Sequence, residues 1–189
     1  MGEAMIVLMI LGGIALFILL WGILTYNRFV TLRAHIKDAW AGVSVELKRR
    51  YDLIPNLVET VKGYAAHERE TLERVIAART RAMGNEGPVD AQARDEKELA
   101  GALRHLAAVA EAYPDLKADR HFLELQDQLT ETEDRIAAAR RFYNGNVRTM
   151  NTLTQVIPSN IVAHLFGFSP QPYFELEDPA ARQAPQVRV

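Results

Sequence analysis

The chain has 189 residues, a formal net charge of −2 and no cysteine. Without cysteine there can be no disulfides and no thiolate metal sites. Acids and bases are interspersed, so no basic field marks a nucleic-acid surface, and nucleic acid is not an expected partner.

Residues 4–26, AMIVLMILGGIALFILLWGILTY, carry no charge. A helix needs roughly 20 apolar residues to cross ~30 Å of hydrocarbon, and this run is long enough. Trp21 and Tyr26 lie near its C-terminal end, where amphipathic rings favour headgroup level. A cleaved signal peptide is the alternative reading. It would have a shorter apolar core, a basic segment before it and a clear small-residue cleavage site after it. A retained single-pass anchor over residues 1–26 is therefore expected, with the lipid bilayer as partner. Arg28, Arg33 and Lys37, then Lys48, Arg49 and Arg50, follow the span, whereas only Glu3 and the amino terminus precede it. The positive-inside rule then places the soluble domain in the cytoplasm.

Phe29, Leu32, Ile36, Trp40, Val43 and Leu47 step by 3 and 4 and form one helical seam. Lys48, Arg49 and Arg50 suit a helix C-terminus. Asp52 then fits an N-cap, with Pro55 in the first turn, where a missing N–H costs little. A helix–helix junction is expected near Tyr51–Leu53, the alternative being one helix kinked at Pro55. The second helix is expected over about Leu53–Met83, with Glu68 falling on its apolar seam. GNEGP, residues 84–88, is a loop by composition. A third helix is expected over about Asp90–Tyr113. The fourth and longest, about Leu116–Ile157, is too long to match its neighbours end to end, so either it bends near Gly145 or one end projects past them. Gly42, Gly63, Gly101 and Gly145 fall inside these helices, where close helix approach would account for them. A short helix over Asn160–Leu165 and an extended tail follow. The tail's aromatics, Phe166, Phe168, Tyr173 and Phe174, are expected to pack, and the last dozen residues to be mobile.

The predicted architecture is all-α: an N-terminal transmembrane helix, then an antiparallel up-and-down four-helix bundle over 27–168, then a tail over 169–189.

The segment WAGVSVELKRRYDLIPNLVETVKGYAAHE resembles the signature of the LemA family. So do AAVAEAYPDLKA, FLELQDQLTETEDRIAAARRFYN and the ending VIPSNIVAHLFGF with PYFE. The likeness runs in order from Tyr26 to Glu175, with Met150 standing where an aromatic residue is expected before Asn151. The resemblance implies a bacterial inner-membrane protein with a helical-bundle domain and no established catalytic activity. It also implies association with membrane-bound zinc proteases of the heat-shock type, or with the shaping of magnetosome membranes. Some relatives carry lipoprotein signals, which would put their domain outside the cytoplasm.

Chemistry-bearing motifs are sparse. His67-Glu68 opens like a zinc protease motif, but the second histidine is replaced by Thr71. The five histidines are scattered, with no pair at i, i+3 or i+4. There is no G-x-S-x-G elbow and no phosphate loop. No catalytic residue, metal or cofactor is therefore expected. The candidate functional residues are polar: Lys48, Arg49, Arg50, Asp52, Asn56, Glu59, Lys62 and Glu68 in the first two helices, and Arg140, Arg141, Tyr143, Asn144 and Asn151 in the fourth. They form either an interhelical network that fixes register or a subunit interface, where Arg and Tyr are favoured anchors. The functional expectation is a non-enzymatic, membrane-anchored scaffold that forms homo-oligomers or organises partners. The alternative is an accessory subunit of a membrane-bound zinc protease.

Overall fold

The computed structural model describes residues 2–176. These are all-α, with no strand among the described residues. The helices are α1 (Gly2–Tyr64), α2 (Arg69–Gly84), α3 (Val89–Ala110), α4 (Pro114–Ala118), α5 (Arg120–Gln155) and α6 (Ser159–Phe166). The expected mobility of the last dozen residues lies outside the described residues. Two compact units are present, one made of residues 2–40 with Phe142–Gln171, the other of Ala41–Arg141 with residues 172–176.

In the first unit, α1 carries the apolar run and then the start of the seam. Residues 3–20 are exposed, Trp21 and Gly22 are half-buried, and Thr25 is buried. Phe29, Leu32, Ile36 and Ala39 continue the buried face at helical spacing. The last part of α5 packs here through Tyr143, Val147, Met150 and Leu153, all buried, with Tyr143 tilted against Trp40 at 5.3 Å. α6 closes on Gly167, whose φ of 68° is the left-handed region glycine adopts without strain. The Phe168 N–H bonds the Ala163 carbonyl at 2.9 Å, and the Gly167 N–H bonds that of His164 at 3.4 Å. This is a Schellman closure. It turns Phe168 back so that its ring stacks on Phe29 at 4.6 Å. The expected packing of the tail aromatics is thus realised at Phe168, and Phe174 is fully buried in the second unit.

In the second unit, segments of α1, α2, α3 and α5 share a core that includes Ile54, Val75, Leu99 and Ile136. The expected junction at Tyr51–Leu53 does not occur: α1 continues through Pro55. Its buried positions Val43, Leu47, Arg50, Tyr51, Ile54, Leu57, Val58 and Val61 keep the 3–4 rhythm with no change of phase, and Asp52 is an exposed mid-helix residue rather than a cap. A proline inside a helix removes one N–H and orphans the carbonyl four residues back. Here that carbonyl belongs to Tyr51, and Arg79 of α2 donates its Nε–H to it at 2.7 Å. The helix continues because a side chain distant in sequence replaces the lost bond.

The real break lies later. The chain turns between Tyr64 and Arg69, held by bonds from the Ala65 N–H to Val61 and from the Glu68 N–H to Ala65. The expected helix over Leu53–Met83 is therefore divided between α1 and α2. The expected fourth helix is likewise split. Asp119 stops α4 and caps α5, its Oδ1 accepting the Phe122 N–H at 2.9 Å. α5 runs through Gly145 unbroken. A Cβ added at Gly42, Gly63, Gly101 or Gly145 would meet nothing within 4 Å, so close helix approach is not why glycine stands there.

Candidate functional site

The strongest concentration of buried polar chemistry lies in the second unit, around Arg50. Its guanidinium and the Glu96 carboxylate of α3 are both fully buried and paired. A second guanidinium nitrogen of Arg50 reaches Glu133 of α5 at 2.6 Å. The Tyr51 hydroxyl donates to the other Glu96 oxygen. Gln92, one turn before Glu96 on α3, donates from Nε2 to Glu96 at 2.7 Å, with the Ala82 carbonyl at 3.0 Å and the Tyr51 hydroxyl at 3.1 Å also within reach. An isolated charge in such a place would be strongly unfavourable, and only pairing with full hydrogen bonding makes it tolerable.

The electrostatics follow from this packing. Burial works against the Arg50 cation, but Glu96 and then Glu133 outweigh it and hold its pKa above the ordinary value. Burial first, then the bond to Glu96, pushes the Tyr51 phenol well above its ordinary range. Tyr51 is therefore a neutral donor at physiological pH. The cluster offers a buried salt bridge and a fixed donor, an arrangement suited to locking helices together.

Of the sequence-predicted residues, Arg50 enters this cluster and its neighbours do not. Lys48, Asp52 and Asn56 are exposed on α1. Arg49 lies 3.7 Å from Glu131, both half-exposed. Glu59 and Lys62 face solvent and pair with each other at 3.4 Å. Glu68 sits at the turn before α2 and accepts the Tyr113 hydroxyl at 3.1 Å. Arg140 is half-buried and Arg141 exposed. In the first unit, Tyr143 is buried against Trp40 and Asn144 is half-buried. Asn151 grips the backbone of Gln171 twice, donating to its carbonyl at 2.9 Å and accepting its N–H at 2.7 Å.

Sequence reading missed Tyr51, Arg79, Gln92, Glu96 and Glu133. A signal existed for two of them. Gln92 and Glu96 keep step with Leu99, Leu106 and Ala110 on the buried face of α3, so polar residues stand where the seam calls for apolar ones.

Beside this cluster is a cleft of about 640 Å³. Leu57, Leu106 and Phe122 line it with Arg104, Asp127 and Glu133, so Glu133 serves both the Arg50 pair and the cleft wall. Among the described residues, no group of three or more His, Asp or Glu side chains could hold a metal ion.

Comparison with known proteins gives the chain its relatives. The chain is 28% identical to magnetosome protein MamQ 2 of Paramagnetospirillum magneticum, over 94% of this chain and 74% of that protein. It is 25% identical to magnetosome protein MamQ of Magnetospirillum gryphiswaldense, over 84% of this chain and 67% of that protein. It is also 27% identical to protein LemA of Metamycoplasma hominis, over 72% of this chain and 63% of that protein. The sequence model of the LemA family matches residues 39–189. This stretch holds Arg50, Tyr51, Gln92, Glu96 and Glu133 together, and the chain belongs to the LemA family.

Proposed function

We propose that this protein is a non-enzymatic, membrane-anchored helical scaffold that self-assembles or organises partners at a bacterial membrane. The observation that carries the reading is the absence of a linker between the apolar span and the packed helices. Tyr26 ends the apolar run, Thr25 is already buried, and Phe29 is stacked on Phe168. An anchor joined this directly holds its packed unit against the bilayer rather than on a flexible tether. Confinement to a membrane raises effective concentration, so modest lateral contacts suffice for assembly.

The Arg50 cluster supports the same reading. Apart from the buried Arg50 Nε, its charged and hydroxyl groups are bonded within the cluster, which favours a structural lock over a reaction centre. The likeness to proteins named for the magnetosome supports a role at a membrane compartment. The charge bias of Arg28, Arg33 and Lys37 supports a cytoplasmic helical domain, and protease protection in oriented vesicles tests that side.

The test of assembly is size. The full chain in mild detergent, followed by analytical ultracentrifugation over a wide concentration range, is expected to form a discrete oligomer. A single-subunit species at every concentration overturns the self-assembling form of the proposal.

A further inference from the structure

α6 presents an apolar stripe that no described residue covers. Ile161 and Leu165 stand one turn apart on its outer face, and Ile157 lies in the turn just before it. Ile161 and Leu165 are 56% and 72% exposed, Ile157 is 82% exposed, and Phe166 beside them is 58% exposed. The opposite face of α6, with Val162 and Ala163, is buried. A helix apolar on both faces is fully used only if something apolar also covers the outer one.

Its position in the first unit identifies the cover. The Phe166 ring meets Tyr26 edge-on at 4.8 Å, and Tyr26 is the last residue of the apolar span. The register along α5 agrees. Tyr143 lies against Trp40, and twelve residues toward the span on each side, at ~1.5 Å per residue, bring Gln155, the last residue of α5, level with Arg28, so the chain that follows lies at the end of the span. Burial of the span begins at Trp21 and Gly22, a turn inside the apolar run, so part of the fold reaches below the end of the span. Arg28 and Arg33 follow within two turns of Tyr26, and the Arg33 guanidinium lies 4.6 Å over the Phe168 ring. Cations at that height suit the headgroups.

We infer that α6 is an interfacial helix. Its outer residues Ile161, Leu165 and Phe166, with Ile157 of the preceding turn, insert into the headgroup–acyl boundary of the leaflet from which α1 emerges. The occupant of this surface is lipid, continuous with the lipid around the span. The inference rests on α1 crossing the bilayer, as proposed above, and adds a second contact with the membrane.

The native chain has no cysteine, so single substitutions give unique labelling sites. Nitroxide labels are placed separately at Ile157→Cys, Ile161→Cys and Leu165→Cys in the full chain, reconstituted in phosphatidylcholine–phosphatidylglycerol vesicles. Ile10→Cys marks the bilayer interior and the exposed His105→Cys marks water. Collision with oxygen and with a nickel chelate reports depth, and circular dichroism verifies each fold. The stripe labels are expected ~5–10 Å below the phosphates. Stripe labels that match His105→Cys while Ile10→Cys stays in lipid overturn the α6 inference alone. Spin–spin broadening at the stripe, showing a second copy as its cover, overturns it too. Water access at Ile10→Cys removes the anchor, and the α6 inference falls with it. Three independent positions keep the result decisive if one variant misfolds.

Discussion

Arg79 donates its Nε–H to the Tyr51 carbonyl at 2.7 Å, the carbonyl that Pro55 leaves without its helical partner. Two features that look unrelated in sequence are therefore one device. The charged donor makes this bond stronger than a neutral one. Arg79→Met should cost about 1–3 kcal/mol, the range for stranding a buried acceptor. In a Pro55→Ala background the helix regains its own N–H donor, and the same Arg79→Met change should cost clearly less. Denaturant midpoints for the four proteins of this cycle give the coupling. Equal losses in both backgrounds would dissociate Arg79 from the proline.

The Arg50–Glu96 pair predicts a second asymmetry. Both side chains are fully buried, so removing one leaves the other charged and poorly compensated. Arg50→Met or Glu96→Leu alone should each cost about 3–5 kcal/mol. The double variant removes both charges and should cost less than the two single changes added together, because apolar replacement of a whole buried pair is often near neutral. Glu133 is half-exposed, and replacing it leaves Arg50 still paired with the buried Glu96. Glu133→Gln should therefore be milder than either buried change. Chemical unfolding in mild detergent measures all four.

Tyr51 makes the fold sensitive to alkali. Burial and its bond to Glu96 raise the phenol pKa in the folded protein, while in the unfolded chain it ionises near ~10. Below that pH both states hold the proton and the full contribution of Tyr51 is present. Above it the unfolded state gives up a proton that the folded state keeps, so stability falls as pH rises. Tyr51→Phe should lower stability at neutral pH yet flatten its decline above pH ~10. Tyr64, Tyr113 and Tyr143 are also raised, so the slope should diminish rather than vanish. Denaturant midpoints at several alkaline pH values read it. An unchanged slope would separate Tyr51 from the alkaline transition.

These three cases also explain how much of the molecule could be read in advance. The seam from Phe29 to Leu47 is a local, periodic signal, and the structure buries it nearly as the spacing predicts, with Ala39 more deeply buried than Trp40. The junction expected at Asp52 had equally local signals: a cap residue, a proline and a run of bases. What overrode them was distant in sequence. Arg79 restores the bond lost at Pro55, and Glu96 draws Arg50 into the core, so a residue that looks like a helix-end surface charge is a buried one. The turn at Ala65–Glu68 escaped because Ala65 and Leu72, seven residues apart, keep helical phase across it, and no glycine or proline stands within it, Gly63 lying before it inside α1. The sequence singles out Asn151 as a polar residue of the fourth helix, but not its partner. Its partner is a backbone group twenty residues on, and no side-chain pattern announces that.

Asn151 holds the chain where it returns after α6. Its amide donates to the Gln171 carbonyl and its carbonyl accepts the Gln171 N–H, so both functions of one side chain are spent on the backbone of one residue. Asn151→Ala loses both bonds, and at ~0.5–1.5 kcal/mol net for each the segment from Ser169 onward should loosen while α6 stays packed through Val162 and Ala163. Asn151→Asp keeps the acceptor but sets a carboxylate against the Gln171 carbonyl, so it should be no milder than alanine despite its shape. Limited chymotrypsin digestion in mild detergent separates these outcomes. Cutting after Tyr173 and Phe174 should accelerate in both variants, while far-UV helicity remains close to that of the parent. Unchanged cleavage in Asn151→Ala would show that the burial of Phe174, rather than this clasp, secures the segment.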